Sequence, residues 1–128
     1  MALRDQLRVL VVDDMSTSRG LITQALESMG VRNVSTAADG PSALDSVAKS
    51  PVHLVISDFN MPGMDGLQLL GALRQGARTA GVGFLLITGR ADKEIIDRGR
   101  SLKMNNYIAK PFQPADLKTA IEAIVGRL

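Results

Sequence analysis

The chain has 128 residues, a formal net charge of +2 and no cysteine. This length suits one domain that buries its own core, and the missing cysteines exclude a disulfide framework and a cysteine-bound metal site. With so small a charge, three Phe, one Tyr and no Trp, a base-stacking surface for nucleic acid is not expected. Early charged residues argue against a signal peptide, and no apolar run reaches the roughly 20 residues of a membrane span. We therefore expect a cytoplasmic protein without a membrane partner.

Apolar runs alternate with segments of helical periodicity along the chain. In chain order the prediction is strand 8–12, helix 17–29, strand 33–37, helix 41–50, strand 52–57, a helix after Asp65, strand 84–87, helix 92–102, strand 106–109 and a helix from Pro114. Leu21 and Ile22 are predicted to face inward in the first helix, and Val47 and Ala48 in the second. Gly30 suits the position just past the end of the first helix.

This strand–helix alternation predicts an α/β fold with right-handed crossovers and helices on both faces of a parallel sheet. The first, third and fourth strands are the most continuously apolar and are therefore placed in the centre of the sheet. The prediction is a doubly wound, flavodoxin-like, five-stranded sheet of order 2-1-3-4-5, with its switch point between strands 1 and 3. We expect residues 1–128 to form a single domain.

Four of the predicted strands end on side chains that can handle a phosphoryl group. Asp13 and Asp14 follow the first strand, Asp58 the third, Thr88 the fourth and Lys110 the fifth. These side chains should meet, because the carboxyl ends of parallel strands line one crevice. Carboxylates without His or Cys nearby favour Mg²⁺ or Mn²⁺, and the first two would hold that metal. Asp58 is the candidate nucleophile for an aspartyl-phosphate, whose oxygens Lys110 and Thr88 would contact.

Four segments resemble, in order and spacing, the receiver domain of two-component response regulators. They are residues 11–14 (VVDD), 57–66 (SDFNMPGMDG), 87–89 (ITG) and 107–112 (YIAKPF). The resemblance covers essentially the whole chain. Residues 13–17 and Tyr107 are similar to the single-domain chemotaxis type in particular.

The resemblance implies that Asp58 is the phosphoacceptor for a histidine kinase. It implies Mg²⁺ ligands from Asp14, Asp58 and the backbone carbonyl of Asn60, with Asp13 acting mainly through a water. It also implies that the peptide bond between Lys110 and Pro111 is cis, which would aim the amine of Lys110 into the crevice. Such a protein catalyses its own phosphorylation and dephosphorylation but is not a dedicated enzyme.

The resemblance also implies a switch. Phosphorylation would draw Thr88 inward, let the Tyr107 ring turn inward and reshape the face formed by the fourth helix, fifth strand and fifth helix. We expect a monomer whose output is this surface, with no output domain, offered to a flagellar motor switch protein. The residues predicted to form the partner surface are Arg90, Lys93, Arg98, Tyr107 and Lys118.

Two alternatives remain open at this point. The chain could be a phosphate sink or relay intermediate that binds only kinases. It could also be a metal-dependent phosphohydrolase, although Asn60 stands where such enzymes commonly carry a second Asp as general acid. Lys103 and Met104 depart from the Gly-Ala that the family often has before the fifth strand, and a left-handed cap is costlier at a lysine than at a glycine.

Overall fold

The structure of the chain, a computed structural model, describes residues 2–90 and 92–128. Its strands are β1 (Arg8–Val12), β2 (Asn33–Ala37), β3 (Leu54–Asp58), β4 (Gly83–Thr88) and β5 (Asn106–Ala109). Its helices are α1 (Leu3–Gln6), α2 (Ser16–Ser28), α3 (Gly40–Lys49), α4 (Gly66–Gln75), α5 (Lys93–Ser101) and α6 (Pro114–Val125). The strands pair in parallel in the order β2-β1-β3-β4-β5, which confirms the predicted fold class and strand order.

Two apolar cores cover the two faces of the sheet. The helices α3, α4 and α5 pack over one face, where Val55 and Phe84 are fully buried. The helices α2 and α6 pack over the other face, where Ile56 and Leu85 are fully buried. Successive side chains of a strand point to opposite faces, so the interiors of β1, β3 and β4 are apolar at consecutive positions to serve both cores, and their polar residues lie at the strand ends.

The strand ends differ slightly from the prediction, and the difference bears on the site. The third strand begins at Leu54 instead of residue 52 and includes Asp58, which pairs with Ile87. The fourth strand extends to Thr88, which pairs with Ala109. Both functional candidates are therefore held by the sheet itself instead of by the loops that follow it.

Two side chains that were predicted to face inward are exposed. Leu21 is 63% exposed, and Ala48 is also exposed. In α2 the sheet covers the stripe formed by Ile22, Ala25 and Leu26, and Leu21 lies beside that stripe. A helix on a sheet buries one face, and the predicted apolar stripes were wider than that face. The short helix α1 was not predicted.

The predicted helix ends are largely confirmed. Gly30 has a left-handed φ of 89° just after α2. Asp65 caps α4 in a reciprocal arrangement with Gln68, which satisfies two backbone N–H groups. Among the described residues, no helix combines the length and the apolar character that crossing a bilayer requires.

The corner between α5 and β5 is held by Arg74. Its guanidinium donates hydrogen bonds to the carbonyl of Lys103 at 2.9 Å and to Oδ1 of Asn105 at 3.1 Å. Lys103 adopts a left-handed φ of 64°, as its place in the family pattern predicts. Met104 packs closely on Gly99. A Cβ atom added to Gly99 would lie only 2.7 Å from the sulfur of Met104. The bulk of Met104 is thus accommodated by a glycine five residues earlier, near the end of α5.

Candidate functional site

The three predicted carboxylates meet at the switch point of the sheet. Asp13 and Asp14 follow β1, Asp58 ends the adjacent strand β3, and the two strands pair up to Val12 and Ser57. One carboxylate oxygen of each aspartate lies within 4.8 Å of the other two. Asp13 and Asp58 are buried, whereas Asp14 is exposed at the mouth of the crevice. The predicted convergence of these residues is therefore present.

One oxygen of this cluster lacks a hydrogen-bond partner. Oδ1 of Asp13 accepts a hydrogen bond from the N–H of Met15 at 2.9 Å. Oδ2 of Asp13 is buried and has no hydrogen-bond partner among the described residues. A buried carboxylate oxygen without a partner is costly, so this atom indicates a place for a cation. An all-oxygen donor set fits Mg²⁺ or Mn²⁺ better than zinc.

Asp58 is paired with Lys110. The side chain of Asp58 is 7% exposed, and the Nζ atom of Lys110 lies 2.7 Å from its Oδ1. Burial raises the pKa of Asp58, and the charges of Asp13 and Asp14 raise it further, although the Lys110 ammonium acts in the opposite direction. The ionised form of Asp58 is therefore costly in the metal-free protein. The peptide bond between Lys110 and Pro111 is cis.

Replacing Asp58 by Asn is expected to stabilise the metal-free protein at neutral pH. A raised pKa means that the folded state holds the proton of Asp58 more tightly than the unfolded state. The free energy of unfolding of the wild type therefore falls as the pH rises through the folded pKa, a loss that the variant escapes. Urea unfolding in EDTA should show an advantage of Asp58→Asn at neutral pH that shrinks towards the unfolded pKa of about 3.9.

Asp45→Asn is the control for this experiment, because Asp45 is an exposed carboxylate on α3 that pairs with Lys49. The Asp45→Asn substitution removes the same charge without touching the buried cluster. It should therefore change the free energy of unfolding only slightly at every pH. A metal-free Asp58→Asn protein that is less stable than the wild type at neutral pH would contradict the expectation.

Thr88 and Tyr107 lie on the same face of the sheet. Leu86 pairs with Tyr107 and Thr88 pairs with Ala109, and paired or alternate residues share a face. Thr88 is buried, and its Oγ1 accepts a hydrogen bond from the N–H of Arg90 at 2.9 Å. That contact leaves the hydroxyl hydrogen available for another acceptor. Tyr107 is half-buried against the core that α5 covers.

The turn after β3 carries Asn60, which is exposed two residues beyond Asp58. Gly66, which was not predicted to have a role in the site, closes this turn: its N–H donates to the carbonyl of Phe59 at 2.9 Å. A Cβ on Gly66 would lie 2.6 Å from the carbonyl oxygen of Asp58 and 3.0 Å from the Cα of Phe59. The start of α4 thus approaches the backbone of Asp58 more closely than any side chain at position 66 would permit. A glycine directly after the capping Asp65 was the signal that could have revealed it.

The cationic side chains of the predicted partner surface differ in whether they form ion pairs. Arg90 pairs with Asp92 at 3.2 Å, and Lys93 pairs with Asp97 at 2.9 Å. These ion pairs are exposed and neutralise two of the predicted charges. Two further cations of that surface are exposed and have no ion pair within the described ranges, namely Arg98 and Lys118.

Comparison with known proteins gives consistent matches. Residues 9–122 match the profile of the response regulator receiver domain. A relative from Rhizobium etli named "Probable chemotaxis protein CheY" is 41% identical over 128 residues, which cover 100% of this chain and 99% of the relative. A solved structure of the chemotaxis protein CheY4 of Vibrio cholerae superposes with a TM-score of 0.87 at 30% identity, covering 92% of this chain and 98% of that one.

One solved relative includes a metal. It is the receiver domain of a sensor histidine kinase from Pseudomonas aeruginosa, with a magnesium ion coordinated in its active-site cleft. It superposes with a TM-score of 0.84 at 27% identity and covers 94% of this chain and 98% of that one.

Proposed function

The chain belongs to the family of response regulator receiver domains, and on that basis we propose that it is a stand-alone response regulator phosphorylated on Asp58 by a histidine kinase. The observation that carries the proposal is the environment of this one carboxylate. Asp58 is buried at the end of a central strand, 2.7 Å from the amine of Lys110, with two more carboxylates within 4.8 Å. A nucleophile, a cation for the transferred group and a metal-binding cluster are thus side by side.

The proposed reaction uses the side chains that line the crevice. A carboxylate oxygen of Asp58 forms a bond to phosphorus while the P–N bond of the kinase phosphohistidine breaks, and the imidazole nitrogen keeps the electron pair. The ammonium of Lys110 then passes from the carboxylate to a phosphoryl oxygen, where it balances the charge that has arrived. The hydroxyl of Thr88 donates its hydrogen to another phosphoryl oxygen.

The proposed metal ligands are Asp14, Asp58 and the backbone carbonyl of Asn60, with Asp13 in the outer sphere. The buried, unpartnered Oδ2 of Asp13 supports a cation here, and so does the magnesium site of the related Pseudomonas domain. When bound, Mg²⁺ or Mn²⁺ supplies positive charge that offsets the repulsion among the carboxylates and the phosphoryl group.

The proposed output is the face formed by α5, β5 and α6. Thr88 and Tyr107 share one face of the sheet, so a Thr88 hydroxyl drawn towards the phosphoryl group leaves room beside the Tyr107 ring. The ring turns inward and the face repacks, which is a population shift biased by contacts to the new group. Exposed Arg98 and Lys118 give this face a positive charge for an acidic partner segment.

We assign the partner as a flagellar motor switch protein, and the location as the cytoplasm, in line with the chemotaxis names of the relatives. The protein acts as a single receiver domain and a monomer, and it does not act as a dedicated enzyme. A phosphohydrolase is disfavoured by Asn60, because an amide cannot supply the titrating proton of a general acid.

Tyr107→Ala is expected to uncouple phosphorylation from partner binding. In the wild type, Mg²⁺ with beryllofluoride, an acyl-phosphate mimic, should tighten binding of a motor switch peptide by about tenfold, a typical coupling between two sites. In the variant that preference should fall towards one, whereas labelling of Asp58 by a phosphorylated kinase should continue. Calorimetric titration measures the preference, and transfer of labelled phosphate measures the reaction.

Tyr107→Phe is the matched control, because it keeps the ring and removes the hydroxyl group. If packing of the ring is what couples the two sites, Tyr107→Phe should still bind the motor switch peptide more tightly in the presence of beryllofluoride, nearly as the wild type does. An unchanged preference in Tyr107→Ala would place the switch elsewhere. Binding of the kinase alone, with no effect of beryllofluoride on the peptide, would favour a phosphate sink. Absence of labelling in the wild type would overturn the proposed function itself.

A further inference from the structure

We propose that Arg19 is a positioning residue for the metal site, acting through the backbone carbonyl of Asp13 directly before Asp14; this inference rests on the proposed function. Arg19 lies in the first turns of α2 and is half-buried. Its Nη1 donates a hydrogen bond to the backbone carbonyl of Asp13 at 2.7 Å. Its backbone N–H donates to the carbonyl of Met15 at 2.9 Å, which is the regular first hydrogen bond of α2 and does not depend on the side chain. The guanidinium therefore holds the carbonyl just before Asp14, and the start of α2 holds the carbonyl of Met15 just after it.

The guanidinium contact matters because Asp14 has little else to hold it. Its side chain is exposed and makes no hydrogen bond within the part of the chain that the structure describes. The peptide groups around it must therefore determine where its carboxylate lies. A ligand presented by a loop that is clamped at both ends loses less conformational entropy when a cation binds.

Arg19 also completes the immobilisation of Asp13. The N–H of Asp13 donates to the carbonyl of Ala37 at 3.1 Å, and its Oδ1 accepts from the N–H of Met15 at 2.9 Å. With its carbonyl held by Arg19, every polar atom of Asp13 is engaged except the buried Oδ2. Arg19 thus fixes the backbone of Asp13, the N–H of Met15 fixes its side chain through Oδ1, and Oδ2 is the carboxylate oxygen of this residue that is left for the cluster.

Arg19 is itself held in place. Its own carbonyl accepts a hydrogen bond from Oγ1 of Thr23 at 2.8 Å, one turn further along α2. The guanidinium therefore extends from a regular helix to the end of β1, joining the two elements that flank the carboxylate loop. A positioning group attached to rigid elements can hold its target more accurately than one on a mobile loop.

The positive charge of Arg19 allows a positioning role to be distinguished from a purely electrostatic effect on Mg²⁺ affinity. A guanidinium that binds the backbone carbonyl of Asp13 brings positive charge near the cluster and repels a divalent cation, so removal of the charge alone predicts tighter Mg²⁺ binding. Loss of a positioning contact predicts weaker binding. The two explanations give opposite signs for the same substitution.

The test is the Mg²⁺ dissociation constant measured by calorimetry for the wild type, Arg19→Met, Arg19→Lys and Arg8→Met. Outer-sphere changes commonly weaken metal binding by tenfold or more, so Arg19→Met should bind Mg²⁺ about tenfold more weakly. Arg19→Lys, which can still donate one hydrogen bond, should recover part of that loss. Arg8→Met removes the same charge and a similar arginine–carbonyl contact, from Nε of Arg8 to Pro51 at 3.0 Å, and should leave the constant within about twofold of wild type.

The melting temperature in EDTA is measured in parallel, because a purely structural role would lower it without a selective change in Mg²⁺ affinity. Mg²⁺ binding by Arg19→Met that equals or exceeds that of the wild type would overturn the inference and leave the proposed function standing. If Arg19→Met does not fold, Arg19→Lys decides, since it keeps the charge and changes only the geometry; wild-type affinity there overturns the inference. No Mg²⁺ binding by the wild type would overturn both.

Discussion

Asp58→Asn is expected to reduce phosphoryl incorporation from a phosphorylated histidine kinase to background, a loss on the order of a thousandfold or more. Asn has nearly the volume of Asp, so the buried site is preserved while the anionic nucleophile is lost. The neutral amide cannot form the acyl-phosphate, and the amine 2.7 Å away on Lys110 cannot restore the missing charge. Transfer of labelled phosphate from the kinase, followed over time at saturating Mg²⁺, measures the effect.

Two controls make this result specific. Asp45→Asn removes an exposed carboxylate on α3 and should be labelled at the wild-type rate. Asp13→Asn keeps the nucleophile and alters a neighbouring carboxylate, so it should be labelled slowly and not at background. Labelling of Asp58→Asn at the normal rate would mean that another residue accepts the phosphoryl group.

Lys110→Met is expected to slow phosphotransfer by about a hundredfold, the usual effect of removing one charged group that stabilises a developing anion. The same variant should bind Mg²⁺ more tightly than the wild type. In the unphosphorylated protein the ammonium of Lys110 competes with the metal for Asp58, since it lies 2.7 Å from Oδ1. Removing it leaves the carboxylate free for the metal but leaves the arriving phosphoryl oxygens without their cation.

Lys118→Met is the matched control, because Lys118 is an exposed lysine on α6 and its loss changes the net charge equally. It should alter neither the transfer rate nor the Mg²⁺ affinity. Weaker Mg²⁺ binding by Lys110→Met would show that this lysine organises the site before phosphorylation. Arg19→Met is expected to bind Mg²⁺ more weakly, whereas Lys110→Met is expected to bind it more tightly. The opposite signs distinguish a lysine that competes with the metal from an arginine that positions the metal ligands.

Much of the fold could be predicted from local patterns. Uninterrupted apolar runs at β1, β3 and β4 identified the central strands, because a strand covered on both faces has no polar side. The strand order then follows from alternation with helices and from the right-handed crossover. Once the order was known, the carboxyl ends of β1 and β3 became neighbours, so Asp13, Asp14 and Asp58 had to meet. Their roles in phosphotransfer stay predictions until the variants are measured.

Other features depend on distances that no local pattern specifies. Leu21 and Ile22 are equally apolar neighbours, yet the sheet covers Ile22 and leaves Leu21 63% exposed. Arg90 and Lys93 were predicted as partner-binding cations from their charge alone, and the structure adds that each pairs with an exposed carboxylate of its own segment, while their role at the partner surface stays a prediction. Helical periodicity defines which residues share a face, whereas the packed neighbour decides how much of that face is buried or paired.

By itself, the sequence determined the topology and the convergence of Asp13, Asp14 and Asp58 in one crevice, because these follow from periodicity and from side-chain type at strand ends. Only the tertiary structure decided that the Arg19 guanidinium binds the carbonyl of Asp13, that Gly66 lies against the backbone of Asp58, and that Thr88 shares a face with Tyr107. These relations join residues from different elements. They depend on how whole strands and helices are positioned against one another. That positioning is set by the packing of both cores together.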